Sequence, residues 1–261
     1  MLRVTTLRIG SCRAPAFAAG LPDRGKVMLP ALATLIETNT QTLLFDCGYG
    51  TSFSDATDNF PARAYRIATP MTLPPHERLT AQLNRPPDLV ILSHMHGDHV
   101  AGLLDLPDDI PMLASKEAID HLSGLSSALT ATLAACPPLL RDGVLARNPR
   151  PIDERPQVET GLPEFPHGHD VTGTGEAIAI ALPGHGVGQI GLWLPNARHF
   201  LIADAAYARS ALRDGKLPPW PVLARLGNAR AYRQTFARLR TLMRARPDIT
   251  LVPSHCREAA P

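Results

Sequence analysis

Residues 89–104 read LVILSHMHGDHVAGLL, an apolar run that opens straight into His94-Met95-His96-Gly97-Asp98-His99. Four side chains of metal-ligand type crowd into six residues, directly after what reads as a buried strand. Packed so closely, they repel one another and forfeit packing unless a cation sits among them. Imidazole and carboxylate together suit zinc, manganese or iron. A polar loop whose histidines merely face water is the alternative, and it leaves the downstream pattern unexplained.

That pattern repeats three times. AIAIALP, residues 177–183, delivers His185 in Pro183-Gly184-His185-Gly186. HFLIADAAY, residues 199–207, carries Asp204 at the end of an apolar run, and ITLVPSHC, residues 249–256, delivers His255. Each time a short apolar run stops and a ligand-type residue stands just beyond it. Such an arrangement places the chemistry on loops at one edge of a sheet, held by rigid strands.

The ordered set HxHxDH, PGH, an Asp after a strand and a final His resembles the metallo-β-lactamase superfamily. The resemblance runs from Phe45-Asp46-Cys47-Gly48 to Pro253-Ser254-His255, nearly the whole chain. It implies an α/β fold: a four-layer αββα sandwich of two mixed β-sheets flanked by helices. For the site it implies one metal on His94, His96 and His185 and a second on Asp98, His99 and His255, with Asp204 bridging them. Two divalent ions follow, zinc first, with manganese or iron as alternatives. A water shared by two cations loses a proton near neutral pH and becomes a nucleophile. Asp98 is then also a catalytic candidate, orienting that nucleophile or shuttling a proton to the leaving group.

Two further residues take their roles from the same resemblance. Asp46 matches the carboxylate that the superfamily places after its early strand, where it orients a ligand histidine through the free ring nitrogen. A turn-forming Asp in Asp-Cys-Gly is the other reading. Tyr207 stands three residues after Asp204, as a tyrosine does in N-acyl homoserine lactonases, where its hydroxyl assists the lactone carbonyl. Simple packing at a strand end is the alternative. Those lactonases usually continue PGHxxGH, whereas this chain has Gln189 in place of the second histidine. The implied function is a dinuclear hydrolase of a lactone or related carboxylic ester, working through the shared, activated water. Phosphotriesterase-like or glyoxalase II-like thioester hydrolysis is the alternative. A mono-iron persulfide dioxygenase and a non-catalytic metal-binding protein complete the range.

The rest of the chain bounds this reading. At 261 residues it can bury a substantial core, and it is expected to form a single domain with loop-rich insertions around 51–87 and 123–175. The net charge of +2 argues against polyanions, so the expected partner is a small-molecule substrate and not nucleic acid. No apolar run approaches the roughly 18 residues that span a bilayer. The opening MLRVTTLRIG alternates like a strand and lacks a signal peptide's apolar stretch, which leads to a cytoplasmic expectation. Cys12, Cys47, Cys136 and Cys256 lie far apart with no CxxC pair, which excludes a zinc ribbon. A disulfide stays open from sequence, though a reduced protein is the simpler reading. Cys256 reads as a small buried residue.

Strands are expected at 4–9, 31–37, 42–45, 89–92 and 111–114, and helices after His99 and at 116–122. The clearest helix is 228–246, with Asn228 as N-cap, Pro247 as stop, and Tyr232, Phe236, Leu239 and Met243 inward. Its many arginines read as a solvated face. Residues 51–87, read as loop with short helical pieces near the site's mouth, are a candidate lid or homodimer contact. Residues 123–175, rich in Pro, Gly and Arg, read as an extended wrap. His167 and His169 fall there and read as loop residues, while His76, His121 and His199 stand alone.

Overall fold

Most strands of this chain are apolar on both faces, and the residues of each face go to different cores. The computed structural model describes residues 2–261. The first sheet holds β1 (Arg3–Pro15), β2 (Lys26–Glu37), β3 (Thr42–Phe45), β4 (Met71–Thr72), β5 (Leu89–Ile91), β6 (Met112–Ala114) and β7 (Arg150–Pro151). Its order is β4-β1-β2-β3-β5-β6-β7, antiparallel from β4 to β3 and parallel from β3 to β7. The second sheet holds β8 (Gln157–Glu159), β9 (His167–Asp170), β10 (Ile178–Ala181), β11 (Ile190–Leu194), β12 (His199–Ala203) and β13 (Thr250–Pro253). It runs β13-β12-β11-β10-β9-β8, antiparallel except for the β12/β13 pair.

Side chains alternate across a strand, so one run feeds two layers. Leu89 and Ile91 of β5 join Leu192 and Leu194 of β11 and Leu201 of β12 between the sheets. Val90 turns outward beneath the helices on the first sheet, and Trp193, Phe200 and Ile202 turn outward on the second. The helices α1 (Ser52–Ala56), α2 (Arg63–Ala68), α3 (Leu79–Gln82), α4 (Gly97–Val100), α5 (Lys116–Gly124), α6 (Ala128–Leu133) and α7 (Pro138–Ala146) come from the half of the chain that builds the first sheet. The helices α8 (Arg209–Asp214), α9 (Trp220–Leu226) and α10 (Ala229–Ala245) cover the second sheet. Two mixed sheets packed face to face between helices make the αββα sandwich that the motif order implies.

Helix α10 is capped by Asn228, whose Oδ1 accepts from the backbone N–H of Arg230 at 3.1 Å and Ala231 at 3.0 Å. It buries Tyr232, Phe236, Leu239 and Leu242 on the outer face of the second sheet. Each such side chain contributes about 1.5–3 kcal/mol by leaving water. Met243 is only half-buried, because Leu242 takes the inward position on the last turn. Among the described residues, no helix is long and apolar enough to cross a membrane.

Three elements depart from expectation. Residues 123–175 carry α6, α7 and β7 to β9. Part of the stretch read as an extended wrap is helical: Pro138 opens α7, where its missing N–H costs nothing. Residues His167 and His169 lie in β9, and the His169 ring nitrogen Nδ1 donates to the Arg155 carbonyl at 2.8 Å. The helix expected after His99 begins inside the motif, at Gly97, and passes into a 3-10 turn at residues 101–105.

Candidate metal centre

The site lies where strand ends of both sheets meet. A left-handed residue, Asp46 at φ 58°, turns the chain out of β3, and Ala203 at φ 47° does the same at the end of β12, just before Asp204. The motif follows β5 by two residues. The Cys47 N–H donates to the His99 carbonyl at 2.8 Å, tying the motif to the turn after β3. The Ile190 N–H donates to the Ser93 carbonyl at 2.9 Å, tying it to the second sheet. Gly186 permits close approach of the β10–β11 loop: a Cβ there would stand 2.7 Å from His94 Cδ2.

These constraints bring all seven expected ligand residues together. Ligand-type atoms of His94, His96 and His185 lie within 4.8 Å of one another, as do those of Asp98, His99 and His255. A third group, His94, His99 and Asp204, sits between them. Asp204 Oδ2 is 3.2 Å from His185 Nε2 and 3.3 Å from His255 Nε2, while Oδ1 faces His99 Nε2 at 3.6 Å. His185 Nε2 stands 3.0 Å from His96 Nδ1, and His255 Nε2 stands 3.3 Å from Asp98 Oδ2.

Four of the five imidazoles have their outward nitrogen occupied. His99 Nδ1 donates to Asp46 Oδ2 at 2.8 Å, and His255 Nδ1 donates to the Pro30 carbonyl at 2.7 Å. Ser93 gives its N–H to Asp46 Oδ1 and its hydroxyl to Asp46 Oδ2, both at 2.8 Å. With that hydrogen spent, Ser93 Oγ accepts from His94 Nδ1 at 3.0 Å. His185 Nδ1 meets the Tyr207 hydroxyl at 3.3 Å. Asp46 therefore fills both roles that the sequence left open: a left-handed turn residue and the carboxylate behind a histidine. Ser93 and Pro30 escaped sequence reasoning. A serine between an apolar strand and a motif has no signature of its own, and a backbone carbonyl has none at all.

Inward, three polar atoms lack a hydrogen-bond partner. His94 Nε2, His99 Nε2 and Asp204 Oδ1 are buried without a hydrogen bond. Each such atom costs about 1–3 kcal/mol in a folded protein. Cations bound in this cluster would satisfy all three, so the donor set fits divalent metal, and its imidazole and carboxylate chemistry fits zinc. Burial disfavours a charge on His94, and the neighbouring imidazoles add repulsion, holding it well below the ordinary range. Burial and then His185 lower His96 to about 3, and burial lowers His185 as well. Burial also works against charge on His99 and His255, but carboxylates prevail. Asp46 and Asp204 raise His99 to about 10, and Asp204 and Asp98 hold His255 well above its usual value. Burial would raise Asp98 and Asp204, yet the facing histidines keep both below the normal carboxylate range.

A cavity of about 210 Å³ opens onto this cluster. His96, Asp98, His185, Asp204, Tyr207 and His255 form its polar end, and Cys12, Ala14, Ala19, Leu29 and Val222 are among its apolar walls. Tyr65 and Thr69, from the segment at 51–87, complete the rim. Cys256 is buried, and its Sγ accepts from the Arg209 N–H at 3.4 Å, which makes it a packing residue. All four cysteines are free.

Fold and site together define a metal-dependent hydrolase scaffold, and the family comparison agrees. The chain belongs to the metallo-beta-lactamase superfamily, whose family model matches residues 28–255. No curated relative matches the chain by sequence. Among solved structures it is similar to an N-acyl homoserine lactone hydrolase with the product N-hexanoyl-L-homoserine bound at the catalytic metal center. That likeness has a TM-score of 0.70 at 16% identity and covers 98% of this chain and 93% of the other. A B. thuringiensis AiiA mutant with N-decanoyl-L-homoserine bound at the active site gives a TM-score of 0.69 at 16% identity, with 98% and 93% coverage. AidC, a dizinc quorum-quenching lactonase in complex with a product, gives 0.63 at 15% identity, with 98% and 88% coverage. At such identities these likenesses establish the fold.

Proposed function

We propose that this protein is a dinuclear zinc hydrolase of lactones or related neutral carboxylic esters. The observation that carries the reading is the convergence of two complete ligand trios on either side of Asp204, at the end of an apolar cavity. His94, His96 and His185 would hold one ion and Asp98, His99 and His255 the other, with Asp204 placed between the two trios. Bound there, two divalent cations supply an activated water and a Lewis acid for the ester carbonyl.

The chain's own groups account for the remaining steps. His185 turns Nε2 into the ligand cluster, so in the tautomer that would bind a metal its Nδ1 carries the hydrogen and donates it to the Tyr207 oxygen. The phenolic hydrogen is then free to point elsewhere. Tyr207 lines the cavity, so that hydrogen is aimed at a substrate oxygen, where it stabilises the charge that develops as the carbonyl is attacked. Burial, reinforced by Asp204, pushes the Tyr207 phenol well above its usual range, which keeps it a donor. Asp98 faces the same cavity beside His255, placed to take a proton from the nucleophile and give it to the departing alkoxide.

The walls narrow the substrate. Among the described residues that line the cavity, none is Lys or Arg. An anionic thioester, such as a peptide-thiol conjugate, finds no counter-charge on these walls, while a neutral ester with an apolar arm loses nothing by entering. The N-acyl homoserines bound in the similar structures are ring-opened acids that carry such an apolar acyl arm, which supports the lactone reading. The test is a panel of lactones, aryl esters, phosphotriesters and thioesters, run on zinc-loaded protein beside His96→Ala. Lactone or ester turnover that His96→Ala abolishes is expected. Cleavage of phosphotriesters alone would replace the substrate assignment.

A further inference from the structure

Asp98 is the one proposed ligand whose second oxygen is engaged from outside the metal cluster by a side chain on another helix. Its Oδ2 faces His255 Nε2 at 3.3 Å, and its Oδ1 accepts from the Tyr65 hydroxyl at 3.4 Å. Tyr65 stands on α2, in the segment to which sequence reasoning gave no chemistry.

Its placement is constrained on several sides. The ring meets Phe53 edge-on, with centroids 5.5 Å apart, and Phe53 meets Tyr49 the same way at 4.9 Å. The Thr69 hydroxyl donates to the Tyr65 carbonyl at 3.0 Å, closing the last turn of α2 beneath it. The motif itself is shaped to admit these rings. A Cβ on Gly97 would fall 3.0 Å from Phe53 Cε2 and 3.3 Å from Tyr65 Cε1. The residue immediately before Asp98 thus has no side chain where the two rings pass, and the phenol reaches the carboxylate from a rigid base.

We propose that Tyr65 is a positioning residue: its hydroxyl holds Asp98 Oδ1 so that Oδ2 stays turned toward His255 and the second cation. The inference rests on the dinuclear reading above. A carboxylate has two equivalent oxygens and a soft terminal torsion. Held at one oxygen by a fixed donor, it offers the other to the metal without first losing rotational freedom. Hydrogen bonds of this kind behind metal ligands are worth about 10–100-fold in metal affinity.

Tyr65→Phe tests the hydroxyl while retaining the ring and its edge-on contacts. Zinc is withdrawn stepwise from the loaded wild type and variant with graded chelator, and kcat and KM are measured on whichever ester the wild type cleaves. The expected variant keeps its first-ion affinity, which also reports an intact fold, and loses about 10–100-fold at the second ion. Its kcat falls at limiting zinc and recovers with excess zinc, while KM is unchanged. Unchanged second-ion affinity, with a loss only in Tyr65→Ala, would reduce Tyr65 to ring packing and overturn the proposal. A raised KM with both affinities intact would assign the hydroxyl to substrate and overturn it equally. A wild type that binds fewer than two ions would refute the dinuclear reading itself, and that result is visible before any variant is compared.

Discussion

Five imidazoles meet at this centre, and their protonation is set by what stands behind each ring. His94, His96 and His185 are held neutral, chiefly by burial, and are ready to bind a cation. His99 and His255 are held protonated by Asp46, Asp98 and Asp204. A metal needs the bare nitrogen, so on the dinuclear reading the two halves of the site would load differently. His99, raised to about 10, carries its proton at neutral pH and must release it when the second ion binds. Zinc titration of the metal-free protein in a weakly buffered indicator solution is expected to release little acid with the first ion and most with the second. The second-ion affinity should rise with pH between about 6 and 8, since protons compete less as pH climbs toward the raised values. Asp46 is the residue to change at this scale. Asn tolerates the left-handed backbone that Asp46 adopts, but its amide has one acceptor atom where the carboxylate has two, so it cannot accept from the Ser93 N–H on one side and from His99 Nδ1 on the other. Asp46→Asn should keep the native circular dichroism and weaken zinc binding by about 10–100-fold in chelator competition.

At the scale of elements, the loops are held to the site by close contacts that leave no room for a methyl group. Gly186 sits against His94, where a Cβ would stand 2.7 Å from Cδ2 and 2.9 Å from Cβ. Gly186→Ala must push the β10–β11 loop, and His185 with it, away from the motif. Overpacking of this kind costs about 1–3 kcal/mol. The expected variant unfolds at lower denaturant concentration and loses the first ion before the second, as stepwise chelation would report. The elements also show how far the sequence was legible. His94 to His99 announce themselves because six consecutive residues carry the signal, and α10 does so because its apolar period is unbroken over four turns. The α7 helix and the β8–β9 pair did not. Their core residues Leu140, Val144, Leu162 and Phe165 lie in short stretches, and Pro138 initiates a helix inside a segment read as an extended wrap. The Ser127/Thr130 capping box of α6 was a readable start signal, though Thr replaces the usual Glu or Gln at its third position. Contacts between distant segments, such as Pro30 with His255 or Tyr65 with Asp98, have no sequence signature.

For the whole molecule, the sandwich converts ligands separated by up to 161 positions (His94 to His255) into one cluster. Strands of both sheets end at the site, so metal bound there would brace the two halves against each other. Any ligand that binds the folded state alone stabilises it by mass action, about 2.7 kcal/mol at one hundred times its dissociation constant. For a chain of this size that corresponds to a rise of roughly 5–10 °C in Tm per ion. Stripping with chelator should lower Tm by that order and zinc should restore it, in calorimetry at fixed protein concentration. Whether two cations lie on either side of Asp204 is read out by anomalous diffraction at the zinc edge on crystals of the zinc-loaded protein. Two peaks are expected, one among His94, His96 and His185 and one among Asp98, His99 and His255. A single peak, or none within reach of Asp204, would contradict the dinuclear reading.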